Sequence, residues 1–120
     1  MNQKPVTPTL HGLIDYAFAG IQLAAPSVLG LNAPMTRTYQ ALGTGFLAVN
    51  ALTDTPVGVK PLLSLRGHQR ADAGFLVSLS LLTLAPFIRK DKAALGFHVG
   101  FLLTAVGHFA LTDYGANDAR

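Results

Sequence analysis

Two histidine–aspartate pairs carry the clearest chemical potential in this chain. His11 and Asp15 stand four residues apart, and His68 and Asp72 repeat that spacing 57 positions later. Residues four apart on a helix share a face, so each imidazole can sit over its own carboxylate. Facing His and Asp side chains can tie helices together, relay protons or ligate a cation. Each pair opens an apolar segment. The next apolar segment after each pair closes on the same four letters, Ala51-Leu52-Thr53-Asp54 and Ala110-Leu111-Thr112-Asp113, 59 positions apart. A repeat of this kind fixes architecture before any finer reading, and it implies two hairpins built from one unit.

The elements that position these residues are apolar and long. Charged residues make up 12% of the 120-residue chain and hydrophobic ones 50%, against about 25% charged in ordinary soluble domains. Four stretches carry almost no charge: 10 to 31, 39 to 53, 71 to 88 and 93 to 111. A membrane-spanning helix needs about 20 mainly apolar residues, within a range of about 17 to 25. The first, third and fourth meet this, and the second does so if it extends past its ends. A soluble four-helix protein would need a polar face on every helix, which these segments lack. Composition and pattern therefore predict an all-α fold, a four-transmembrane-helix bundle of two tandem parallel helical-hairpin repeats, in one domain over 1–120. Repeat 1 is expected over about 8–54, a linker over 55–64, repeat 2 over 65–113 and a short disordered tail over 114–120.

Local signals place the helix ends. Thr7-Pro8 starts the first helix, with Thr7 as cap and Pro8 in the first turn. Asn32-Ala33-Pro34 is turn chemistry, and Pro26 is expected to kink the helix one turn before its end. Asp54-Thr55-Pro56 stops the second helix. The third is expected from near His68 to Pro86–Arg89, and the fourth from Ala93 to about Asp113. Four spans put both termini on one side with the loop between repeats. That side holds Lys4, Lys60, Arg66, Arg70 and Arg120, and the other Arg37, Arg89, Lys90 and Lys92. The small excess points to cytoplasmic termini and a multi-pass protein of the inner (plasma) membrane. An N-terminal signal peptide is not expected, because its apolar region would contain His11 and Asp15.

On this topology the His-Asp pairs and the Leu-Thr-Asp ends all fall at one end of the bundle. The expected polar layer is His11, Asp15, Asp54, His68, Asp72, His108, Thr112 and Asp113. Asp54 and Asp113 close helices, where the dipole opposes a negative charge. The leading reading is a non-enzymatic protein whose layer fixes helix and repeat packing. The alternatives are proton or cation handling, or a metal or b-type haem site on His11, His68 or His108, since paired histidines on facing helices are a common bundle solution. No G-x-S-x-G, H-E-x-x-H or Walker motif supports catalysis, and there is no cysteine for a thiolate ligand or haem attachment. No cofactor is required by the pattern.

The other features read as packing. His98 lies ten residues before His108, about 15 Å along a helix axis, and is expected as a satisfied core histidine. Asn50 and Gln22 are expected to hydrogen-bond across helices, and Tyr16, Tyr39 and Tyr114 to sit near the membrane interfaces. Gly96-x-x-x-Gly100 and the other helical glycines suit close helix packing, and Gly/Ala-rich faces could support a homo-oligomer. The lipid bilayer is the expected partner. Nucleic acid is not, because the basic residues are scattered among loops without stacking aromatics.

The order His11-Gly12, Asp15-Tyr16, Ala25-Pro26, Leu52-Thr53-Asp54, then His68, Asp72 and Ala85-Pro86, resembles the bacterial SPW-repeat family of small integral membrane proteins. The resemblance covers nearly the whole chain. It departs at the family's Ser-Pro-Trp, which is Ala25-Pro26-Ser27 and Ala85-Pro86-Phe87 here, and tryptophan is absent throughout. The resemblance implies four helices in two repeats and carries no established activity.

Overall fold

The computed structural model describes residues 3–116. They form an all-α fold of four long helices and one short one: α1 (Pro8–Val28), α2 (Ala33–Ala51), α3 (Leu65–Leu82), α4 (Pro86–Arg89) and α5 (Lys92–Leu111).

The helix starts follow from caps that recur at the repeat offsets. The Thr7 hydroxyl accepts from Leu10 N–H at 3.2 Å, and Ser64, 57 residues later, accepts from Gly67 N–H at 3.0 Å. Asn32 accepts from Met35 N–H at 2.8 Å, and Asp91, 59 residues later, from Ala93 and Ala94 N–H. Each cap satisfies donors that the first turn leaves unpaired. This chemistry starts α2 and α3 earlier than the apolar runs suggested, and Asn32 is a cap as well as a turn residue.

The helix ends follow the sequence expectation at Pro26, which lies one turn before the end of α1, and differ from it at Pro86. Pro26 lies inside α1, which continues to Val28. There Gly30, at φ 68°, takes the left-handed conformation. Its N–H reaches Ser27 C=O at 3.0 Å and Leu31 N–H reaches Pro26 C=O at 2.9 Å, which closes the helix in a Schellman motif. Pro86 instead ends up outside α3. The chain tightens through Thr83, Leu84 and Ala85, whose N–H groups bond three residues back, and proline has no N–H to resume the ladder. Pro86 then opens α4, so the two Ala-Pro pairs do not occupy equivalent places.

The two hairpins point the same way. His11 meets His68 at one end of the molecule, and Asn32 meets Asp91 at the other. Between these ends Tyr39 meets His98. In each pair the partners are 57 or 59 residues apart, so the repeat offsets bring equivalent positions together along one line. Two isolated parallel bridges, Val6 with Thr112 and Leu63 with Thr53, are related to each other by the same offsets, Leu63 standing 57 residues after Val6 and Thr112 59 after Thr53. Val6 N–H donates to Leu111 C=O at 3.1 Å, and Leu63 N–H to Leu52 C=O at 2.8 Å.

Phe18, Met35, Tyr39, Leu79, Ile88, Ala94, Phe101 and Ala105 form the core. Gly43 lets α2 approach α1, and Gly12 lets the connection after α2 approach α1. A Cβ on Gly43 would stand 2.9 Å from Gln22 Cβ, and one on Gly12 would overlap Val57. Gly20, Gly45, Gly74, Gly96, Gly100 and Gly107 face open space instead, so Gly96-x-x-x-Gly100 is not a contact within this chain. Among the described residues, α5 is long and apolar enough to cross a membrane, and 22% of its apolar stretch is buried. The other long helices carry more polar residues, such as Arg66, His68, Gln69, Arg70 and Asp72 in the first two turns of α3.

Candidate functional site: a buried His-Asp centre

The starts of α1 and α3 bring His11, Asp15, His68 and Asp72 into one buried group. The pairing is reciprocal. His11 Nε2 lies 3.0 Å from Asp15 Oδ2 on its own helix and 3.0 Å from Asp72 Oδ2 on the other. His68 Nε2 lies 3.3 Å from Asp72 Oδ2 and 2.9 Å from Asp15 Oδ2. The two Nε2 atoms are 3.3 Å apart. Sequence spacing predicted the contacts within each helix, and the fold adds the contacts between helices.

The outer ring nitrogens are held by two threonines. His11 Nδ1 lies 2.7 Å from Thr112 Oγ1, and His68 Nδ1 lies 2.7 Å from Thr53 Oγ1. Each hydroxyl also lies 2.6 Å from a helix carbonyl, His108 C=O for Thr112 and Val49 C=O for Thr53. A threonine has one hydroxyl proton, and the carbonyl can only accept it. The hydroxyl oxygen must then accept from the ring, which places a proton on Nδ1 of both histidines. This tautomer is assigned from the hydrogen-bond network. It leaves both Nε2 atoms facing the carboxylates.

Two further side chains orient those carboxylates. His108 Nε2 lies 3.0 Å from Asp15 Oδ1, and its ring stacks on His11 with centroids 4.0 Å apart. The Tyr114 hydroxyl donates to Asp72 Oδ2 at 2.7 Å. Burial and the nearby Asp72 carboxylate push the Tyr114 hydroxyl up from its ordinary value, so it stays a donor. Asn50 Nδ2 donates to Gly12 C=O at 2.8 Å and pins α2 to α1 beside the group.

The expected layer is therefore assembled in part. His11, Asp15, His68, Asp72, His108 and Thr112 come together. Asp54 and Asp113 do not belong to the converging group and are half-buried. The bridges at Thr53 and Thr112 explain this. In extended backbone successive side chains point to opposite sides, so turning the threonine inward turns the next aspartate away. Thr53 and Tyr114 were not expected in the site. Thr53 was marked by its equivalence to Thr112, whereas no sequence signal marked Tyr114. Tyr114 is buried, unlike the disordered tail or interface ring expected of it, and residues 117–120 of that tail lie outside the described residues.

Away from the centre, toward the Asn32–Asp91 end, the polar side chains pair among themselves or with backbone carbonyls. His98 Nε2 donates to Leu79 C=O at 2.9 Å, so Nδ1 accepts from the Tyr39 hydroxyl at 2.8 Å. Both nitrogens are used, and Tyr39 is in the core instead of at an interface. Gln22 bonds within its own helix, Nε2 to Phe18 C=O at 3.2 Å, rather than across helices. Asn32 Nδ2 donates to Asp91 Oδ2 at 2.9 Å. That amide and the α5 N–H groups hold the Asp91 carboxyl below the usual carboxylate range.

No protein-family model, no curated protein and no solved structure matches this chain.

Proposed function

We propose that the chain is a four-span integral membrane protein of two parallel hairpin repeats, in which the buried His-Asp centre docks one repeat against the other. The observation that carries this reading is the reciprocity of the contacts. His11 reaches Asp72 and Thr112, while His68 reaches Asp15 and Thr53. Each histidine thus binds the repeat it does not belong to, and neither hairpin can complete the centre alone.

Membrane insertion is supported by the outward surface. Large apolar side chains are exposed along the helices, among them Leu13, Val77, Leu81, Leu103 and Val106. The basic residues cluster toward the helix ends, with Arg37 in the first turns of α2, Arg66 and Arg70 in those of α3, and Lys92 at the start of α5. Helices of 18 to 21 residues span about 27 to 32 Å at 1.5 Å per residue, close to the roughly 30 Å of a bilayer core. The resemblance to SPW-repeat proteins agrees with this arrangement. In the plasma membrane the termini would be cytoplasmic. Polar contacts between membrane helices average about 0.6 kcal/mol each, so the centre chiefly sets register and orientation.

Topology reporters test the reading. Fusions after residues 59 and 116 should report the same side of the membrane and fusions after 30 and 90 the other. Release of the protein by alkaline carbonate, or one side for all four fusions, would reject it.

A further inference from the structure

We infer that His11, Asp15, His68 and Asp72 form a binding site for one divalent transition-metal ion, a ligand role that goes beyond docking although it uses the same four side chains. Three observations carry it.

The first is the shape of the donor set. Five of the six distances among the two Nε2 and two Oδ2 atoms run from 2.9 to 3.3 Å, and one donor atom from each residue can be chosen so that all four lie within 4.8 Å of one another. Metal–ligand bonds of about 2.0 to 2.1 Å in a tetrahedron set donor atoms about 3.3 Å apart. The four donors are close to that spacing on five edges.

The second is the pair of threonines. A metal-bound histidine usually donates its other ring N–H to a fixed acceptor, which sets the tautomer and aims the lone pair. Thr53 and Thr112 do this for His68 and His11, and their own protons are committed to helix carbonyls. The two carboxylates are oriented by contacts of their own, His108 Nε2 at Asp15 Oδ1 and the Tyr114 hydroxyl donating to Asp72 Oδ2. His98 gives the contrast, a buried histidine with both nitrogens consumed and, among the described residues, no ion-pair contact.

The third is charge. Among the described residues the ion-pair contacts of Asp15 and Asp72 are all with histidines, with no lysine or arginine. One dication balances two buried carboxylates, where unpaired charge would be costly. The mixed imidazole and carboxylate set suits zinc and its first-row neighbours. It does not suit a haem, whose plane would have to pass between the two Nε2 atoms, where both carboxylates stand.

The test uses full-length protein in detergent, stripped with chelator and titrated with Co²⁺. The site predicts intense visible absorption typical of tetrahedral Co²⁺, saturating at one equivalent and lost on addition of Zn²⁺. It also predicts a rise in Tm with Zn²⁺, which needs no variant. His68→Gln and Asp72→Asn should each abolish the band. Thr53→Val with Thr112→Val, which keeps all four ligands, should weaken Co²⁺ binding by about 10- to 100-fold. Absence of a saturating band, a band that survives both ligand substitutions, or an unchanged affinity in the threonine double variant would overturn the inference. Membrane topology and metal-free stability report on docking separately, so either reading can fail without the other.

Discussion

His11 and His68 are 57 residues apart in sequence and face each other with their Nε2 atoms 3.3 Å apart, each ring held from behind by a threonine of the other repeat. Removing one threonine hydroxyl should therefore be felt across the repeat boundary. Thr112→Val keeps the side-chain shape but leaves His11 Nδ1–H without its acceptor. A buried unsatisfied group costs about 1–3 kcal/mol, so unfolding in detergent should show a loss of that size. Thr112→Ser should retain most of the stability.

The parallel arrangement makes a covalent prediction. The chain has no cysteine, so introduced pairs stand alone. Asn32→Cys with Asp91→Cys should cross-link with a short thiol reagent, because these side chains touch at 2.9 Å. Asn32→Cys with Ser64→Cys should not, since Ser64 caps a helix at the His11 end. Antiparallel repeats would reverse the two results.

Glycines separate packed faces from open ones. Gly43→Ala forces a Cβ against Gln22, Leu23 and Ala19 and should cost about 1–3 kcal/mol, as overpacking does. Gly100→Ala meets nothing within 4 Å and should raise stability by about 0.5–1 kcal/mol through helix propensity. If Gly100→Ala instead dissociates an oligomer on sizing, the open face of α5 is an interface between copies.

Asp91 sets a pH dependence at the other end. Its folded pKa lies below the ordinary carboxylate value because Asn32 and the α5 N–H groups stabilise the charge. Its contribution is therefore present above the unfolded value, about 3.9, and is lost as pH falls through the folded value. Asp91→Asn places an amide against the Asn32 amide. The Tm difference between the two proteins should be largest above about pH 5 and shrink in more acidic solution.

Much of this was legible in the residues themselves. The offset of 57 located both histidine pairs, and Thr7 was legible as a cap, because capping and helical periodicity are local; the equivalent cap at Ser64 emerged only with the structure. The contacts between repeats were not legible, since nothing in His11 names Asp72 as its second partner. Charge also misled. The expected layer held Asp54 and Asp113 with Thr112 but not Thr53, and it is the two neutral threonines that point inward. Backbone pairing of Val6 and Leu63 at those threonines decides which side chain faces the centre, and that pairing is a tertiary event. The break of α3 before Pro86 was hidden for the opposite reason, because the run from Leu79 to Ile88 stays uncharged and mostly apolar across it.

The central claim is that His11 of one repeat and Asp72 of the other are energetically joined, and a double-mutant cycle on unfolding free energy measures this directly. With metal removed, His11→Ala, Asp72→Ala and the double variant should show a coupling of about 0.5–3 kcal/mol, the range for residues in one buried network. Asp72→Ala and Arg37→Ala, at opposite ends of the bundle, should add without coupling. A coupling between His11 and Asp72 indistinguishable from zero would contradict the docking of the two repeats through this centre.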